Sequence, residues 1–349
     1  MSNKYPVVID DCVLVGSELF FFAKNCNALF SLNLKEDEYK INLLGRIPDE
    51  SIFGEGLVSN VIYFDNKLFL PPKKMKANKI WIFDLQTYNW NNVDIDLDDI
   101  QQPMEKIAYA TIFKDELVMI GCYYDGIVRV NLNTYEIVYY KNMLDSEELI
   151  HSLFYCLKVD NNILIPSPNR NVISKLNLNS FECEKITIGN DNCAYLGICE
   201  CKDYYWLAPR KNIPYIVKWD GKNDFYEFDV PEGIKDNGEY YFGQIANIDN
   251  SIYMVGGYGK KTLITNENIS DYIITENGLA FVKKLSDDCY IIQDYSGNIE
   301  LNYKGNKIDT NAFFEVEELR SDKFGKVVFE TIFTETKKDS LSKFIDLIK

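Results

Sequence analysis

Histidine is almost absent: 349 residues contain only His151. A centre needing two or more histidines is therefore excluded, which removes histidine-rich copper, iron and zinc catalytic sites. No stretch approaches the roughly 20 apolar residues that a membrane helix needs; the longest apolar runs are as short as residues 19–23. The opening MSNKYPVVIDD sets Asp10 and Asp11 where a signal peptide needs an apolar run, so no export signal is read. Paired CxxC spacing is missing from the nine cysteines, which predicts free thiols in a reducing, cytoplasmic compartment. Walker, Rossmann and kinase glycine signatures are missing too. Positive charge is scarce, with 37 basic against 53 acidic residues and a net charge of −16. That field opposes nucleic acid and anionic membranes as partners. Nothing calls for a cofactor or a metal, and a monomer is expected.

What the chain does have is aromatic residues, 14% of the total with 24 Tyr and 21 Phe, a composition that favours strands. It also has repeats. A tight polar turn followed by an apolar burst recurs as GSELFFFA (16–23), DNKLFLPP (65–72), KDELVMIG (114–121), DNNILIPS (160–167), KDYYWLAP (202–209), DNSIYMVGG (249–257) and DDCYIIQD (287–294). The anchors Leu19, Leu68, Leu117, Ile163, Tyr205, Ile252 and Tyr290 are spaced 49, 49, 46, 42, 47 and 38 residues apart, the length of a four-stranded propeller blade. After each burst comes a strand, an Asp/Asn turn and another strand, as in 79–95 and 126–140, with weaker copies at 262–274 and 298–309. Before each burst lies a further apolar segment, such as 106–113 or 195–201. The reading is an all-β propeller of seven blades with strands A to D in order, A nearest the axis and B buried on both faces. Six blades is the alternative, should 262–310 collapse into one.

Within this frame IWIFDLQTYNW (80–90), with Asp84, Thr87 and Trp90, resembles the kelch pattern of strand, turn and Trp-bearing fourth strand, and MVGG (254–257) resembles the kelch double glycine. The resemblance in pattern spans most of 12–310, but the glycine pair is intact only there; Gly121 is single, and Pro72, Pro166 and Pro209 stand near that position elsewhere. It implies a divergent kelch-like propeller, and for many of the relatives it implies a recognition or scaffold role. The copper-dependent oxidases that share such propellers are excluded by the histidine count.

The whole of 1–349 is read as one domain. Closing strands are expected at Pro6–Asp10 and Lys326–Phe333. A short amphipathic helix is expected in a 335–349 extension, where DSLSKFIDLIK sets Leu341, Phe344, Ile345 and Ile348 at helical spacing.

Lone residues carry little chemistry. His151 is read as a rim residue, with a general-base role as the alternative. DIDLDDI (94–100) gathers Asp94, Asp96, Asp98 and Asp99 but lacks the Gly and Glu of an EF-hand, so it reads as a solvated acidic loop. Trp81, Trp90, Trp206 and Trp219 read as packing residues.

The loops joining B to C share one face with the D-to-A connections, at the channel mouth. They hold ten basic residues, Lys24, Lys73, Lys74, Lys76, Lys79, Arg170, Arg210, Lys211, Lys260 and Lys261, against Asp125 and Asp294. Tyr123, Tyr124, Tyr258 and Tyr295 lie among them. The candidate ligand-binding set is Lys73, Lys74, Tyr123, Tyr124, Arg170, Arg210, Lys211, Tyr258, Lys260 and Tyr295, suited to an anionic protein, peptide or glycan. The D–A connections are acidic, and mutual neutralisation of the two sets is the competing reading. The function expected is a non-enzymatic recognition or scaffold module; the alternative is a lyase, epimerase or hydrolase acting at the channel mouth.

Overall fold

The computed structural model describes residues 7–24, 27–35, 41–48, 50, 56–97, 105–122, 124, 126–141, 143, 155–235, 242–257, 260–276, 278–294 and 298–309. They form seven four-stranded antiparallel sheets, each built from four consecutive strands. The blades run over 9–45, 62–94, 107–141, 157–187, 195–229, 242–275 and 279–309. Both weak copies fold as hairpins, Thr262–Thr265 with Tyr272–Thr275 and Ile299–Tyr303 with Asn306–Asp309, which excludes six blades. A 3-10 turn lies at Glu232–Ile234, between blades five and six. The expected helix in 335–349 and the closing strand Lys326–Phe333 lie outside the described residues.

At every junction but that of blades three and four the A strands of neighbouring blades are seen in contact, so the A strands line the axis. Strand B is the best buried, as in Glu18–Ala23 and Glu116–Gly121, because apolar side chains on both faces meet neighbouring blades. Strand D is the outermost and half exposed, as in Cys183–Thr187. The described apolar core accordingly divides into seven clusters, one at each blade junction. The four tryptophans pack as expected: Trp81, Trp206 and Trp219 are buried, and Trp90 stands edge-on to Phe83 with ring centroids 4.9 Å apart.

The C–D turns repeat one device. Asp84, Asn131 and Asn177 each accept the backbone N–H groups two and three residues on at 2.8–3.1 Å. Such a carboxylate or amide oxygen mimics a turn's own carbonyl. Each of these turns ends on an aromatic residue at positive φ, Tyr88, Tyr135 and Phe181 at 57°, 61° and 56°. The Asp84 and Thr87 of the kelch-like pattern are thus turn residues.

The ring is stitched at the axis by polar side chains, three of which, Asp11, Asn60 and Gln244, stand eight positions before the strand-B anchors of blades one, two and six. Asp11 accepts Val61 N–H of blade two at 2.7 Å, and Asn60 accepts Ala110 N–H of blade three at 2.7 Å. Gln244 bonds both the N–H and the carbonyl of Val282 in blade seven. Blade seven closes on blade one through Gln293, which accepts Ile9 N–H at 2.8 Å and donates to the Val7 carbonyl at 2.6 Å, and through Lys283, 2.6 Å from Asp11. This corrects the expectation for Pro6–Asp10: Ile9–Val15 is the inner strand of a complete blade, so closure among the described residues runs through side chains and not through an exchanged strand.

Candidate functional site

Strand B carries the chain to the mouth, and the loop that follows folds tightly back. A Cβ on Gly121 would lie 1.9 Å from the Tyr124 carbonyl oxygen, and one on Gly256 would lie 2.3 Å from that of Lys261. Glycine there lets the B–C loop press on the end of its own strand. The backbone then links each mouth loop to the entry of strand A: Lys24 N–H bonds the Val8 carbonyl, Lys73 N–H that of Leu57, and Arg210 N–H that of Ala194. Lys24, Lys73 and Arg210 thus occupy equivalent places on the rim.

The basic set divides in two. On blades two and six four of its members meet acids. Lys73 Nζ lies 3.8 Å from Asp10, Lys74 3.3 Å from Glu105, Lys79 3.8 Å from Asp94, and Lys261 3.6 Å from Glu276. Neutralisation by D–A and strand-D acids is real for these four. On blades four and five the loops 166–171 and 208–213 contain no acid. Arg210 there donates to the Asn169 side chain across the junction, next to exposed Arg170 and Lys211. Lys260 is exposed on the neighbouring blade six.

The tyrosines differ from expectation. Tyr124 is 3% exposed and belongs to the cluster between blades two and three, so it is a core residue in place of a ligand contact. Its ring fills the space beside Gly126, whose added Cβ would come 2.9 Å from it. Tyr123, Tyr258 and Tyr295, like His151, Asp98 and Asp99, lie outside the described residues.

The buried charges at the mouth were missed by the sequence reading. Asp10 occupies a β-bulge in strand A, its side chain is 6% exposed, and its Oδ2 has no hydrogen-bond partner among the described residues. Burial raises its pKa above the ordinary carboxylate range, against the pull of Lys73 and Lys24. Lys106 is 1% exposed, with burial lowering its pKa and its Nζ donating to the Lys76 carbonyl at 3.1 Å. The Ala77 N–H in the same loop bonds Glu50. The blade-two loop is thereby clamped onto blade three. The signal that would have found Asp10 is positional. Nine residues before the seven strand-B anchors stand Asp10, Ser59, Ala108, Phe154, Leu196, Gly243 and Phe281, and only the first is charged.

The eight described cysteines are free, and all but Cys183 are buried. Burial raises the thiol pKa of Cys12, Cys156 and Cys199, which keeps them protonated and unreactive.

No protein-family profile matches the sequence, and no curated protein matches it. Solved structures do resemble it in fold. Virginiamycin B lyase from Staphylococcus aureus aligns with a TM-score of 0.61 at 13% identity, over 86% of this chain and 98% of the lyase. YCF48 bound to D1 peptide aligns with a TM-score of 0.59 at 13% identity, over 88% and 94% of the two chains. BamB from Moraxella catarrhalis gives 0.56 at 10% identity, over 88% and 89%. At such identities the likeness is one of architecture, and this chain is a seven-bladed β-propeller whose blades follow one another in order around the ring.

Proposed function

We propose that the chain is a non-enzymatic recognition module, a kelch-like propeller that binds an acidic protein or peptide segment at the mouth face of blades four and five. One observation carries this reading: Arg170, Arg210 and Lys211 stand on the B–C loops of two adjacent blades, loops whose own residues include no acid, and Arg210 bonds Asn169 across the junction. Arginine's planar fork suits carboxylates, and a rigid ring gives up little conformational entropy in presenting it. YCF48, similar in fold, is seen with a peptide bound, which makes peptide binding compatible with this architecture. The lyase reading draws less support. A histidine-to-alanine variant of virginiamycin B lyase is catalytically inactive, whereas this chain has a single histidine. Glycans with acidic substituents would use the same cations. The free, buried thiols fit a reducing compartment such as the cytoplasm, and we read the protein as a monomer.

The test is selection from a displayed peptide library on the wild type and on an Arg170→Ala, Arg210→Ala, Lys211→Ala variant. Enrichment of Asp/Glu-rich peptides by the wild type, lost in the variant at unchanged melting temperature, is the expected result. Equal enrichment by both proteins overturns the assignment.

A further inference from the structure

The mouth at blades one and two holds a second feature, which rests on the reading of this face as a peptide-binding surface but uses different residues. Asp10 Oδ2 and Ser59 Oγ are both buried and both lack a hydrogen-bond partner among the described residues. They sit nine residues before Leu19 and Leu68, so they occupy equivalent places on neighbouring blades. The two strands are held side by side at this level by Asp11, which accepts from Val61 N–H and from Asn60 Nδ2. Lys73 Nζ stands 3.8 Å from Asp10 Oδ1, beyond hydrogen-bond reach, with its side chain 13% exposed.

Gly56 completes the notch. It has φ +61°, and a Cβ there would lie 3.4 Å from Lys73 Nζ and 3.7 Å from each Asp10 carboxylate oxygen. The Gly56 backbone thus brings one point into van der Waals range of both charged groups at once. The fold does not require a carboxylate here, since Ala108, Leu196 and Gly243 serve at the same place on other blades. A buried acceptor and a buried hydroxyl without partners carry the full cost of desolvation, unless something else bonds them.

We propose that Asp10, Ser59 and Lys73 form a subsite for a neutral group that donates and accepts hydrogen bonds at adjacent atoms: the side-chain carboxamide of an Asn or Gln in the peptide ligand. Its NH2 donates to Asp10 Oδ2, and its carbonyl accepts from Lys73 Nζ. Charge chooses the class. A carboxylate would face Asp10, and an ammonium would face Lys73 together with Lys24 and Lys74, which also act on Asp10. A carboxamide meets both without a like-charge contact.

The experiment uses the full chain, labelled with carbon-13, and follows the Asp10 carboxyl and Lys73 Cε signals during titration with acetamide, acetate and methylammonium. The expected result is a saturable shift with acetamide only. In Asp10→Ala the Lys73 response should weaken roughly tenfold, the loss of one hydrogen bond to a charged acceptor. In the milder Ser59→Ala it should weaken several-fold with the fold intact. No saturable response to acetamide, or an equal response to acetate, overturns the subsite. The Arg170, Arg210 and Lys211 triple variant should keep the acetamide response, so failure of the acidic-peptide reading and failure of this one are read separately.

Discussion

Blade seven has two flanks, and they are built differently. Against blade one it shares a cluster of 18 buried apolar residues among those described, from Val7 and Phe21 to Ile291 and Ile308. Against blade six the described cluster has three, Ile248, Val255 and Val282, bordered by half-buried Tyr253 and Tyr290. Blades six and seven are joined by the short link 276–278, whereas blades seven and one meet across the two ends of the described ring. A covalent link keeps two surfaces at high effective concentration, so a thin core suffices there. Between blades seven and one, the described residues meet through side chains, and both the deep apolar cluster and the Gln293 and Lys283 bonds are found on that side.

The comparison breaks if the thin seam proves the stronger one. Phe21, fully buried and stacked on Phe30 at 5.3 Å, carries the deep seam. Phe21→Ala should cost about 3–5 kcal/mol in urea unfolding, the usual penalty for emptying a large buried aromatic site. Gln293→Ala leaves Ile9 N–H and the Val7 carbonyl unpaired in a buried place, for a loss of about 2–3 kcal/mol. Val282→Ala, on the thin seam, should cost less, about 1–2 kcal/mol, because fewer neighbours lose contact. A Val282→Ala loss as large as that of Phe21→Ala would reverse the ranking of the two seams.

The same contrast explains what the sequence revealed. Strand-B bursts such as LFFFA and LVMIG stand out because both faces are buried. The C–D turns stand out because Asp84, Asn131 and Asn177 close them with their own side chains. The copies at 262–274 and 298–309 are short on apolar residues: the first sends Leu263, Ile269 and Ile274 into the junction of blades five and six, and the second sends Ile299, Leu301, Tyr303 and Ile308 into that of blades seven and one. Closure was illegible: Gln293 and Val7 are 286 positions apart, and a buried glutamine has the hydropathy of a surface one. At the mouth, counting charges found the blade-four and blade-five cations, which composition alone displays. It also mistook Tyr124 for a surface ring, since a tyrosine's burial depends on the glycines whose backbones approach it. Asp10 escaped because it differs only from its counterparts in other blades, and composition does not compare positions.

Asp10 faces Lys73 and Gly56 on the seam between blades one and two, one residue before the Asp11 that pairs with Lys283 across the deep seam, and it marks where the blade-one and blade-two seam gives up stability. Its raised pKa is the balance of burial against the opposing pull of Lys73 and Lys24, so the folded chain holds the Asp10 proton more tightly than the unfolded chain does. The native state therefore binds a proton that the unfolded chain has already released in the window just above 3.8. More protons bound in the native state means that stability falls as pH rises through that window and recovers as pH drops. Asp10→Asn removes the charge with little change in shape and should raise stability at neutral pH by about 1 kcal/mol, the smallest effect of the four. Urea midpoints of wild type and Asp10→Asn measured from pH 4 to pH 7 should converge toward the acid end. A gap that stayed constant, or a destabilised variant at pH 7, would show that Asp10 works for the seam as an ion pair with Lys73, leaving no stability sacrificed at the mouth for a ligand to restore.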